Sequence, residues 1–226
     1  MARTARIVIP DIPHHVTQRG NRREPVFFQD GDQLRYLAFL KAGMEKSGTA
    51  ILAYCLMPNH VHIIAVPKHK EGLRELFSEA HRRYTNYINW RHGWTGHLWQ
   101  SRFGSVAMDE DHFCEALRYV CLNPVRAGLV KNAEDWAYSS VRAHLSGKSD
   151  SIIDVTPILE RFPDFSTFLG QNENPAIVNA LRQSESSGRP LVCKDWISNL
   201  EALTGASLQL QKRGRKFKNN SGTVYF

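Results

Sequence analysis

The chain has 226 residues, 42% of them hydrophobic and 23% charged, which suits one ordinary domain plus an extension, or two small domains, and a chain of this length hides roughly 70–75% of its extended surface and folds without staples. Lysine and arginine outnumber aspartate and glutamate by 29 to 22, a formal charge of +7 that suits a polyanionic partner. Ile7-Val8-Ile9 before Pro10 is too short for a secretory core, no apolar run is long enough to span a bilayer, and Cys55, Cys114, Cys121 and Cys193 lack paired spacing, so a cytoplasmic protein with reduced thiols and no structural zinc is expected.

His15 to Arg19 alternates as a strand closed by Gly20-Asn21. Asp30 is placed to cap a helix that carries Leu34, Leu37, Phe39 and Leu40 and ends near Gly48. Ala50 to Met57 and His60 to Val66 are rich in β-branched and aliphatic residues, and Pro58-Asn59 between them supplies the reversal of a hairpin. A second helix is predicted from about Leu73 to Trp90, then a strand-like stretch between Leu98 and Met108. Asp109-Glu110-Asp111 suits the positive N-terminus of a third helix, which runs to Leu122 and is stopped by Asn123-Pro124. Strand, helix, hairpin, helix, strand is the order of a split βαβ unit, which predicts an α+β fold with an antiparallel sheet and helices on one face. Residues 1–150 form this unit, and 151–226 form a helical extension with short helices around Pro157–Phe162, Pro175–Gln183 and Asp195–Leu203. The basic tail Lys212-Arg213-Gly214-Arg215-Lys216-Phe217-Lys218 packs five cations into seven residues.

The sharpest local signal is His60-Val61-His62. Alternate residues of a strand face one side, so two imidazoles there lie close enough to share a cation, although a pair of surface histidines gives the same pattern. On the third helix Glu115, Tyr119 and Asn123 recur every four residues and share a stripe. Tyr119 alone reads as a half-buried aromatic, and Asn123 alone as a cap before Pro124.

Taken together these segments resemble a known family. Met57-Pro58-Asn59-His60-Val61-His62 is similar to the histidine-hydrophobe-histidine (HUH) motif of single-tyrosine transposases, and Arg118-Tyr119 through Asn123-Pro124 to Val130 resembles the segment bearing their nucleophile. Pro13 to Asn21, Leu98 to Phe103, Trp136 to Ser140 and the extension from Gly188-Arg189-Pro190 fit the same pattern. The resemblance points to the REP-associated branch, which acts on palindromic repeats between bacterial genes. It implies a ferredoxin-like sheet, Tyr119 as nucleophile, and His60, His62 and Asn123 as ligands of Mg²⁺ or Mn²⁺. Cys121 stands where many relatives carry His.

The implied chemistry is attack by Tyr119 on single-stranded hairpin DNA to give a 5′-phosphotyrosine and a free 3′-OH, so that strands are rejoined without ATP. Arg19, Arg22, Arg23, Lys212, Arg213, Arg215, Lys216 and Lys218 are the candidate DNA contacts, although a solvated charged face gives the same clusters, and Trp90, Trp94 and Trp99 are candidates to stack on unpaired bases, although tryptophans at such spacing are more often core. His14, His15 and His81 are read as structural. The expected protein is a monomer in the bacterial nucleoid, with a homodimer as the alternative. The competing functions are a relaxase or replication initiator and a hairpin-binding module with vestigial catalysis.

Overall fold

Two β-branched runs separated by Pro58-Asn59 make the hairpin on which the fold is laid: β2 (Ala50–Met57) and β3 (His60–Val66) pair antiparallel with Met57 opposite His60. β1 (His14–Arg19) pairs with the free edge of β3, and β4 (Gly104–Ala107) with β1, both antiparallel, in the order β2-β3-β1-β4. The α+β class and the antiparallel sheet are those the chain order predicts. Of the stretch from Leu98 to Met108 only four residues join the ladder, while Trp99 makes an isolated bridge to Gly20. The computed structural model describes residues 7–171, 175–187 and 201–202.

Side chains alternate across each strand, and in β2 both sets are apolar. Val16, Tyr54, Leu56, Val61, Ile63 and Ala65 face one way, under α1 (Asp32–Ser47) and α2 (Gly72–His92), which bring Tyr36, Leu40, Phe77 and Tyr84. Ala53, Cys55, Met57 and Ile64 face the other way, against Phe113, Ala116, Leu117 and Val120 of α3 (Glu110–Cys121). The expectation of helices on one face therefore holds for α1 and α2 and is corrected for α3. A strand apolar on both faces, as β2 is, needs cover on both.

The helix ends show local chemistry. Asp109 caps α3 by accepting the backbone N–H of His112 at 2.9 Å, as the acidic cluster suggests. α1 starts at Asp32 rather than at Asp30; the Asp32 carboxylate accepts the N–H groups of Phe28 and Gln29 and pairs with Arg91 from the last turn of α2. The chain does not leave helical geometry at Asn123-Pro124. A further turn, α4 (Asn123–Arg126), begins there, because proline's missing N–H costs nothing in a first turn.

Beyond it come α5 (Val141–Ser146), α6 (Thr156–Arg161), α7 (Phe165–Gly170) and α8 (Pro175–Ser187). α6 and α8 match the helices expected around Pro157 and Pro175, while α5 and α7 add to the expected set. Ile152, Ile153 and Val155 join the α1/α2 core, and Phe165, Phe168, Val178 and Leu181 join the core under α3. The helix expected at Asp195–Leu203 lies outside the described residues except for 201–202, and so does the whole basic tail. No helix among the described residues is long and apolar enough to cross a membrane.

Candidate active site

β3 presents His60 and His62 on the sheet face that α3 covers, with ring centroids 4.9 Å apart and planes at 79°. The Nδ1–H of His60 donates to Oδ1 of Asn59 at 2.6 Å, and the Asn59 amide is oriented by its own bond from Nδ2 to the Arg23 carbonyl at 2.9 Å. An amide oxygen only accepts, so the proton of His60 sits on Nδ1 and its Nε2 keeps a lone pair. Burial, then the charge of Arg19, pushes the pKa of His60 down to about 4. Burial, then His60, His15, Arg19 and Arg126, holds His62 well below its ordinary value. Both rings are neutral near pH 7, the state in which imidazole ligates a cation.

A third histidine joins them. Nε2 of His15 lies 3.0 Å from Nδ1 of His62, and the two rings have centroids 5.2 Å apart and planes within 21° of parallel. His15 is fully buried, and burial followed by the proximity of His112 pushes its pKa down to about 3. Nothing local distinguishes His15, which is why the sequence alone assigns it a structural role. Its place follows from register: Thr17 lies opposite His62 in the β1–β3 ladder, so His15, two residues away on the same face, is the diagonal neighbour of His62.

α3 brings Tyr119 to the same spot. Its ring meets His62 edge-on at 5.6 Å between centroids and His15 at 6.1 Å. The guanidinium of Arg126, one turn beyond α3, lies 4.2 Å over the Tyr119 ring and donates to the Tyr119 carbonyl at 2.6 Å. Between this guanidinium, the histidines and the apolar cluster under α3, Tyr119 is almost wholly covered, with 5% of its surface exposed. Asn123 follows at the start of α4, buried, with its Nδ2 lacking a hydrogen-bond partner. Glu115, on the same helical stripe, turns to Arg118 instead at 3.1 Å. Cys121 is fully buried in the apolar cluster with Cys55, and burial raises its thiol to about 12, so it stays a neutral thiol.

The candidate DNA contacts divide. Arg19 lies directly across the ladder from His60. Arg22 and Arg23 follow it, exposed, both with left-handed backbone at φ 54° and 65°. Lys212, Arg213, Arg215, Lys216 and Lys218 lie outside the described residues. Trp99 is core, packed near Tyr36 and His81, whereas Trp94 is half exposed and Trp90 is 82% exposed.

Residues 9–122, half of the chain, match the family described as IS200-like transposase, a span that contains His60, His62 and Tyr119 and stops one residue short of Asn123. A REP-associated tyrosine transposase of Escherichia coli (strain K12) is 24% identical over 121 residues, covering 53% of this chain and 70% of the relative. A Haemophilus influenzae relative assigned to the same REP-associated group is 27% identical over 103 residues, 39% of this chain and 57% of its own length. A solved structure of a REP-associated tyrosine transposase bound to a REP hairpin superposes with a TM-score of 0.52 at 24% identity, covering 69% of this chain and 93% of that one, which is a likeness of fold. On the matched half of its length, with the paired histidines and the helix-borne tyrosine inside that span, the chain belongs to the IS200-like transposase family.

Proposed function

We propose that the chain is a metal-dependent nuclease and strand transferase for hairpin-bearing single-stranded DNA, with Tyr119 as nucleophile. Family membership implies a DNA-cleaving and DNA-transferring enzyme. The observation that carries the finer reading is the meeting of the Tyr119 ring with the His60–His62 pair, 5.6 Å from His62. The hairpin substrate is supported by the relative of like fold that is bound to a REP hairpin.

The donor set fits a divalent cation. His60 is a neutral imidazole with its Nδ1 proton tied away and its Nε2 lone pair available. Among the described residues no group of three or more His, Cys, Asp or Glu side chains is arranged to hold a metal, and Asn123 is the third donor that the family resemblance offers. His60, His62 and Asn123 would hold Mg²⁺ or Mn²⁺; such an ion, when bound, polarises the scissile phosphate and stabilises the leaving 3′ oxygen.

This chain's own residues supply the rest. The Tyr119 oxygen forms the bond to phosphorus, the bond from phosphorus to the 3′ oxygen breaks, the phenolic proton passes to solvent, and the 3′ oxygen takes one up. Because a tyrosine ester of phosphate is close in energy to the diester it replaces, the reverse attack by a 3′-OH reseals DNA. Arg19 and Arg126 place positive charge near His62, adding to the larger effects of burial, His60 and His15 that lower its pKa, and Arg22 and Arg23 add charge on the surface. Arg126 covers Tyr119 in this structure, so DNA reaches the ring by taking the guanidinium onto its own phosphate.

A labelled single-stranded hairpin incubated with Mn²⁺ is expected to yield a covalent protein–DNA adduct that disappears in Tyr119→Phe and falls at least tenfold in His60→Ala and His62→Ala, with hairpin binding retained. An undiminished adduct in Tyr119→Phe removes Tyr119 from the role. The near-complete cover of Tyr119 favours the second reading, a hairpin-binding protein without cleavage; binding with no adduct from the wild-type protein would establish that one.

A further inference from the structure

Each imidazole of the pair has its Nδ1 engaged by a neighbour. For His60 the neighbour is the Asn59 amide, which can only accept and so fixes the tautomer. For His62 it is the ring of His15, 3.0 Å away with its plane at 21°. Two neutral imidazoles share one hydrogen across such a contact, and two arrangements are possible. If His15 donates from Nε2, His62 carries its own proton on Nε2 and has no lone pair there for a cation. If His15 accepts at Nε2, His62 is protonated at Nδ1 and its Nε2 lone pair is available, matching His60.

We propose that His15 is the positioning residue for His62, accepting the Nδ1–H of His62 at its own Nε2 and so turning the Nε2 lone pair of His62 to the cation. The inference rests on the metal-dependent reading of the site. His15 Nδ1 is buried and hydrogen-bonds to nothing, so no other partner of His15 imposes either tautomer and its role follows from the contact with His62. The His15 ring meets His62 edge to edge, with the two planes within 21° of parallel, and lies edge-on to Tyr119, so it fixes the ring plane of one and packs against the other. Its strand is bonded along its length to β3, six paired positions from His14 to Arg19, so the contact is held by the sheet rather than by a loop. Partners of this kind, which orient a ligating histidine through its second nitrogen, contribute about 10–100-fold to metal affinity or activity.

The first test needs no metal. In ¹⁵N-histidine-labelled metal-free protein, with the His62 signals assigned by their absence in His62→Gln, His62 is expected to show Nδ1 protonated and Nε2 bare; a protonated Nε2 overturns the proposal. The second is direct Mn²⁺ binding followed by electron paramagnetic resonance. His15→Phe, which keeps the ring and removes the acceptor, is expected to bind Mn²⁺ at least tenfold more weakly, and His15→Gln, whose amide oxygen can take the same hydrogen, to recover most of the loss. Equal affinity in a folded His15→Phe overturns the proposal. If wild-type protein binds no Mn²⁺, the metal reading of the site falls, while the tautomer of His62 still decides the role of His15.

Discussion

At Asn59 two hydrogen bonds meet, and their order explains why a turn residue belongs to the site. Its Nδ2 donates to the Arg23 carbonyl, which orients the amide, and its Oδ1 accepts from Nδ1 of His60, which orients the ring. Asn59→Ala removes both, freeing His60 to flip or to move its proton to Nε2. The expected result is a fall of about 10–100-fold in Mn²⁺ affinity and in adduct yield, with hairpin affinity within about twofold of wild type because no charge is lost. Oligonucleotide cleavage and filter binding on one preparation check it; unchanged cleavage would reduce Asn59 to a hairpin residue. His15 and Asn59 thus do parallel work on the two imidazoles. Asn59 sits next to His60 in the sequence, where the motif could have flagged it, whereas His15 is 47 residues from His62 and only strand register joins them.

Among the elements, the segment from Gly20 to Glu24 departs furthest from local expectation. A Cβ on Gly20 would lie 2.2 Å from the Glu24 carbonyl oxygen, so only glycine lets the chain fold back there. Arg22 and Arg23 follow with left-handed backbone, a conformation that costs a non-glycine residue about 1–2 kcal/mol. The fold returns something for that strain: the Arg23 carbonyl reaches Asn59, and two exposed guanidinium groups stand on a loop that continues from Arg19, opposite His60. Asparagine tolerates this backbone far better than arginine. The Arg22→Asn, Arg23→Asn double variant is therefore expected to melt at or above the wild-type temperature, while the slope of log affinity for single-stranded DNA against log salt flattens by about 0.7 for each phosphate that the variant no longer neutralises. An unchanged slope would mean that these arginines do not touch the backbone of the DNA. Nothing in the sequence signals two consecutive left-handed arginines, because the residue types there favour no such turn; the strands, α1, α2 and the hairpin, by contrast, follow from periodicity and turn chemistry. The placement of α3 lies between these cases. Its caps and apolar face are local, but the side of the sheet it covers depends on β2 being apolar on both faces, which only becomes decisive once the sheet is assembled.

Across the whole molecule an unusual number of imidazoles are sealed inside. Burial pushes His14, His112 and His144 each to a pKa of about 4, against about 6.5 in an unfolded chain. For His14 burial outweighs a hydrogen bond that acts the other way: its Nδ1–H donates to the Ile12 carbonyl at 2.7 Å, while Nε2 accepts the Ile9 N–H at 3.2 Å. His15 and His60 behave alike in metal-free protein. Between about pH 4 and 6.5 the unfolded chain binds protons at these positions and the folded chain does not, so stability rises with pH through that window. It is fully present above the unfolded value and is lost as pH falls toward the folded one, by up to about 1.4 kcal/mol per histidine per pH unit. The depressed carboxylates Asp32, Asp154 and Asp164 act in the same direction but below their ordinary value of 3.8, so the two sets separate on the pH axis. Denaturant titrations of metal-free protein are expected to give constant stability from pH 8 to 7 and a steep decline between pH 6.5 and 4.5, with about one proton taken up on unfolding for each sealed imidazole. Replacing His112, whose two ring nitrogens are buried and hydrogen-bond to nothing, by phenylalanine should make the decline shallower by one proton. A stability curve that stays flat from pH 7 to 5 would mean that water reaches these rings.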